Sequence, residues 1–160
     1  AKSRVASSLW PTPLDDGASI EAILERREVA PEVTHDPRAL ATNRSNAFVS
    51  WRYGAPFLGY RAVESDQGVV IVRLRSRGNA DELVLLDALD LDVRASDRVA
   101  TAVMRNSGAT HALRIGPADP RRGFVGYPGG GPTLTWRSVN SMSRPPLPNW
   151  CLTMGDIELF

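Results

Sequence analysis

The sequence predicts an α/β domain built on a mixed sheet, mostly antiparallel, with one parallel strand pair joined by a crossover helix. Two observations carry this. The stretch "VVIVRLRSRGNADELVLLDALD" (69–90) holds two strand-like runs joined through Gly-Asn-Ala, the pattern of an antiparallel hairpin. The next stretch, "LDVRASDRVATAVMRNSGATHALRIG" (91–116), reads as turn, helix and strand. A strand that returns through a helix pairs parallel to the strand before it, and the right-handed rule fixes the face the helix covers.

The elements follow in order. "AKSRVASSLWPTPLDD" is an arm, either a linker or a strand lying along the domain, because Pro11 and Pro13 oppose regular structure. The domain division is 1–17 for the arm and 18–160 for the folded part, which stands alone or belongs to a longer chain. "GASIEAILERREV" places Ile20, Ile23, Leu24 and Arg27 on one helical face, with Ser19 or Asp16 as cap. "HDPRALATNRSNAFVSWRYG" opens with Asp36 as N-cap and Pro37 at the first helical position. Leu40, Ala47 and Phe48 form its expected buried stripe, and Gly54 ends it or the segment after it. "FLGYRAVES" is a strand and "DQG" a turn.

The run from Leu83 to Leu86 is apolar on both faces, so it belongs at the centre of the sheet. Strict alternation puts Leu83, Leu85, Asp87 and Leu89 on one side, and Val84, Leu86, Ala88 and Asp90 on the other. In the crossover helix Ser96 is the expected N-cap. Val99, Ala102, Val103 and Asn106 face the sheet, and Gly108 takes the left-handed C-cap. "YPGGGP" is loop, and "TLTWRSV" and "WCLTMGDIELF" read as a closing pair of strands. The four Trp residues are expected to pack in the core or half-buried.

Composition narrows function by exclusion. One Cys cannot form an internal disulfide, and His35 and His111 lack ligand spacing, so no metal site is expected. No apolar run reaches the ~20 residues a membrane span needs, and no signal-peptide core is present, which implies a cytoplasmic, membrane-free protein. "RLRSR" (73–77) faces acids on the next strand, a cross-strand charge ladder. Without interleaved aromatics it is not a nucleic-acid strip. Net charge is +1, but residues 81–92 hold five acids and no base, while residues 93–148 hold eight Arg and two Asp. The second region is a solvated Arg face or an attractor for an anionic ligand.

Two helices, three antiparallel strands, a crossover to a parallel strand and closing strands form a layout that resembles the GNAT acyltransferase fold. "FVSWRYGAPFLGYRAV" (48–63), followed by "GVVIVRLRSRG" (68–78), resembles the second-domain segment of bacterial two-domain GNAT proteins. "WCLTMGDIELF" (150–160) resembles their last strand. The resemblance implies acyl transfer from acetyl-CoA to the amine of a small molecule or peptide. The strand before the crossover then splays from the one after it. Leu89, Leu91 and Val93 line the pantetheine, and Arg94, Ala95, Ser96 and Arg98 surround the pyrophosphate at the helix N-terminus. Another GNAT domain, in the same or a partner chain, is the implied companion.

The family loop runs Gln or Arg, two residues, Gly, one residue, Gly or Ala. Here "VRASDR" (93–98) has no glycine. Asp97 is expected in the first helical turn, where a carboxylate takes the electrostatic place of a phosphate. Arg94, Arg98 and Arg105 are the side chains that would replace the backbone cradle. Asp87 and Asp90 are the candidate general bases and Tyr127 the candidate acid; Asp87 as a satisfied structural group is the competing reading. Two functions follow: a GNAT-type N-acyltransferase, as a companion or degenerate domain of it, or a non-catalytic domain of that fold using the splayed groove or an Arg patch for a ligand or protein partner.

Overall fold

A computed structural model of the chain describes residues 7–11, 13–29, 39–126 and 146–157. Expectations for Asp36, Pro37, His35, Tyr127, "YPGGGP" and "TLTWRSV" fall outside these residues. The elements are β1 (Ser7–Pro11), α1 (Ile20–Leu24), α2 (Asn46–Tyr53), β2 (Arg61–Glu64), β3 (Val69–Arg77), β4 (Ala80–Leu89), α3 (Val93–Ser107), β5 (His111–Leu113) and α4 (Met154–Ile157). The fold is α/β with a mixed sheet. β3 lies between β4 on one side and β2 and β1 on the other, all antiparallel, and β4 carries β5 parallel to it. The N-terminal arm thus supplies an edge strand over Ser7–Pro11, with its pairing to β3 interrupted by a register shift. A strand edge is where proline is tolerated.

Alternation along β3 divides the core in two. Val69 and Ile71 pack with Ile20 and Ile23 of α1 and Val49 and Tyr53 of α2. Val70, Val72 and Leu74 pack on the other face with Ala100 and Val103 of α3. The two helical layers therefore cover opposite faces of one sheet, as burying both faces of β3 and β4 requires. The β3–β4 hairpin turns at Gly78, whose φ of 68° suits the first central position of a two-residue loop.

One register shift matters most. Ile71 pairs with Asp87, but Val72 pairs with Leu85, so Leu86 is an extra residue in β4, a β-bulge. The bulge puts Leu86 and Asp87 on the same face, toward α1 and α2, where Asp87 meets Tyr53. This corrects the strict alternation expected for β4, which grouped Asp87 with Leu83 and Leu85. β5 pairs only with Glu82, Leu83 and Val84, and no described strand pairs with β4 on that side after Val84. The parallel pair is joined at one end only, and its pairing stops at Val84, just before the bulge.

Other corrections are local. Residues 39–45 are not helical; the helix starts at Asn46, capped by the Ser45 hydroxyl, which accepts from the Phe48 N–H. Its buried residues are Val49 and Tyr53; Phe48 packs half-buried against the same core as expected, whereas Ala47 is exposed and Leu40 forms a single bridge with Trp150. Gly54 is the C-cap, as expected. Trp51 is 76% exposed, contrary to the packing expected of it. α3 begins a turn earlier than expected and turns Ser96, Asp97, Ala100 and Val103 inward, leaving Ala102 and Asn106 exposed. The apolar pattern misled because the inward face includes a charged residue that has found a partner. In the last described segment, 150–157, Met154–Ile157 form a short helix where a strand was expected. Thr153 accepts from Gly155 N and Asp156 accepts from Thr153 N, a reciprocal capping pair.

Candidate functional site

The stretch of β4 beyond its pairing with β5 and the start of α3 form the candidate site. β4 ends at Leu89. Asp90 then adopts φ 59°, a left-handed conformation that Asp tolerates better than most residues. Gly68 makes this turn feasible: a Cβ there would lie 2.3 Å from the Leu89 carbonyl and 2.6 Å from Leu91 Cγ. Leu91 tucks against the α3 side of the core, and Val93 is already the first residue of α3. Only Leu89 of the three expected pantetheine contacts is in the strand, because the turn at Asp90 ends it first.

The helix end is capped from within by Asp92, not Ser96. Asp92 Oδ1 accepts from Ala95 N at 2.7 Å, and its carbonyl accepts from Ser96 N at 3.0 Å. The first of these satisfies one of the free N–H groups at the helix end, the second is the first bond of the helix ladder, and the carboxylate sits where the dipole favours negative charge. The Ser96 hydroxyl turns back to donate to the Val93 carbonyl at 2.9 Å. Arg94 and Arg98 are exposed on the outer face, and Ala95 is buried.

Asp97 does not take a phosphate's place. It lies past the first turn, 1% exposed, with Arg114 after β5 as its partner. Arg114 Nε approaches Oδ1 to 2.9 Å off the hydrogen-bond axis, and its terminal nitrogen donates to Oδ2 at 3.3 Å. The Phe124 ring covers the guanidinium, 4.4 Å away. This clasp ties the chain leaving β5 to α3 rather than to β4.

Asp87 is the centre of a buried network. Its side chain is fully enclosed and accepts from Arg44 Nε at 2.7 Å, from Thr153 Oγ1 at 2.6 Å and from the Tyr53 hydroxyl. Arg44 also donates to Asp156 Oδ2 at 2.8 Å, and Asp156 accepts from Thr42. Burial opposes the Arg44 charge, but Asp87 and Asp156 outweigh it and hold its pKa above the ordinary value. Burial, reinforced by the charge of Asp87, pushes the Tyr53 phenol well up, so Tyr53 donates rather than ionises. A Cβ on Gly155 would meet the Tyr53 hydroxyl and the Asp87 carboxylate, so α4 sits tightly on β4. With each oxygen engaged and no exposed surface, Asp87 is built as a structural anion, not as a base open to an acceptor amine.

Asp90 is exposed and pairs with Arg27 at 3.3 Å. Tyr127 lies outside the described residues. At the zipped end of the pair, Glu82 is buried. It accepts from Arg75 at 2.6 Å and meets His111 Nε2 at 3.0 Å. Burial raises the Glu82 pKa, but Arg75 and His111 outweigh it and leave the group below the ordinary range. The Arg75–Glu82 pair is one rung of the expected charge ladder.

Sequence reasoning missed Arg44, Thr153 and Asp156. The Thr-x-x-Asp capping pattern at 153–156 was a readable signal for α4. Arg44 had none, because its partner is distant in sequence. Among the described residues no group of His, Cys, Asp or Glu forms a metal site, and no helix is long and apolar enough to cross a membrane. Comparison with protein-family models finds no match, and comparison with characterised proteins and with solved structures finds none significantly similar.

Proposed function

We propose that this chain is a GNAT-type domain of an N-acyltransferase whose own acyl-CoA site is degenerate, so that it serves as a companion domain. The observation that supports this reading is the β4–β5 pair, joined over three residue pairs only, so that β4 runs on to the α3 N-terminus with no described strand paired to it on that side. The order of elements supports it too: α2 ends in Trp51-Arg52-Tyr53 and leads through Tyr60 into β2. Acetyl-CoA does not fit the helix end as built. Asp92 holds it with a carboxylate, and no glycine opens residues 93–98 to a pyrophosphate. No step of acyl transfer is therefore assigned to this chain's residues.

Calorimetric titration with acetyl-CoA tests this. The wild type is expected to give no saturable heat up to millimolar ligand. Asp92→Ser keeps a capping oxygen and removes the charge, leaving Arg94 and Arg98 nearby; it is expected to gain saturable binding. Tight wild-type binding that is lost in Arg94→Ala would overturn the degenerate site and indicate a working enzyme.

A second reading is favoured by Arg94, Arg98 and Arg105, which are exposed and have no partner among the described residues. It is a non-catalytic domain of this fold that uses its Arg patch. Indifference of both wild type and Asp92→Ser to acetyl-CoA would select it over the first.

A further inference from the structure

We infer that this domain docks head to tail on a second copy of itself, the Arg face of α3 on one copy meeting the acidic outer face of α1 on the next. The inference does not depend on the acyltransferase reading. At 100° per residue, Arg94, Arg98 and Arg105 fall within about 40° of one another on α3, opposite its buried stripe. All three are exposed. The acids nearest in sequence make other contacts, Asp92 with the Ala95 N–H and Asp97 with Arg114, and neither pairs with the stripe. On the opposite face of the sheet, Glu21 and Glu25 stand one turn apart on the outer side of α1, with Glu28 just beyond, and all are exposed. The neighbouring bases do not cancel them: Arg26 pairs with Glu64 and Arg27 with Asp90. Neither the three Arg nor the three Glu side chains have a partner among the described residues.

The two stripes match in spacing. Arg94 and Arg98 are one turn apart, as are Glu21 and Glu25, so two ion pairs form together when the helices lie side by side. α1 and α3 cover opposite faces, so one copy cannot satisfy its own stripes, and the contact is heterologous. A net charge of +1 leaves little overall repulsion to oppose this dipolar attraction. Exposed ion pairs are individually weak, so the contact is low-affinity and salt-sensitive.

Static light scattering of the full chain reads it as the sign of the second virial coefficient. Attraction is expected near 0.01 M salt, where the Debye length is about 30 Å, and its loss near 1 M, where it is about 3 Å. Arg94→Glu with Arg98→Glu, or Glu21→Arg with Glu25→Arg, should each abolish it. Mixing the two variants should restore attraction, because one then carries two acidic faces and the other two basic ones. Circular dichroism establishes that each variant is folded. Attraction that persists in a folded single-face variant would overturn the proposal. So would a non-attractive wild type at low salt; if that protein bound a polyglutamate peptide through α3, the stripe's occupant would be another protein's acidic segment.

Discussion

Asp87→Ala is expected to destabilise the fold by about 3–5 kcal/mol, the usual consequence of removing one partner of a buried ion pair. Arg44 would keep Asp156 but lose its shortest contact while staying buried. Tyr53 and Thr153 would lose the oxygens to which they donate. The damage reaches four segments at once: the approach to α2, α2 itself, β4 and α4. Urea unfolding followed by tryptophan fluorescence measures it, with the midpoint falling and the slope unchanged if the native state stays compact. A loss below about 1 kcal/mol, typical of an exposed pair, would mean that the network is solvated and that Asp87 remains open to chemistry.

Asp97→Ala is expected to cost a similar amount, about 3–5 kcal/mol, because it leaves Arg114 half enclosed beneath Phe124 without its anion. Asp92→Ala should cost less, about 0.5–2 kcal/mol, as the loss of an N-cap. The order of the two variants separates two pictures of α3. Had Asp97 been the residue that quiets the helix end, its removal would cost only about 0.3–1 kcal/mol. The same unfolding experiment on both variants decides, and a larger loss for Asp92→Ala would contradict the assignment made here.

The hairpin and the crossover were legible because their signals are local. Gly78 marks the turn, Gly108 the helix end, and the apolar run at 83–86 the centre of the sheet. The candidate site was less legible. A bulge inside a run that is apolar on both faces leaves no mark in the pattern, so the side on which Asp87 lies could not be read. Its partner Arg44 is 43 residues away, and nothing near Arg44 announces burial. Asp97 misled for the same reason. A buried carboxylate reads as an exposed one until its cation is known, and Arg114 arrives from beyond the next strand. Asp92 and Thr153 are different: both stand at cap positions with recognisable chemistry, but Ser96 suits the cap of α3 and an alternating pattern suits 150–160 nearly as well.

The end of the β4–β5 pairing at Val84 is tested most directly by cross-strand nuclear Overhauser contacts in isotopically labelled protein. Contacts are expected for Glu82 with His111, Leu83 with Ala112 and Val84 with Leu113. They should stop there, with Leu86 out of register against β3. A parallel ladder that continues from Leu85 through Leu89 into residues 114–118 would contradict that early end and remove the support for an acyltransferase scaffold.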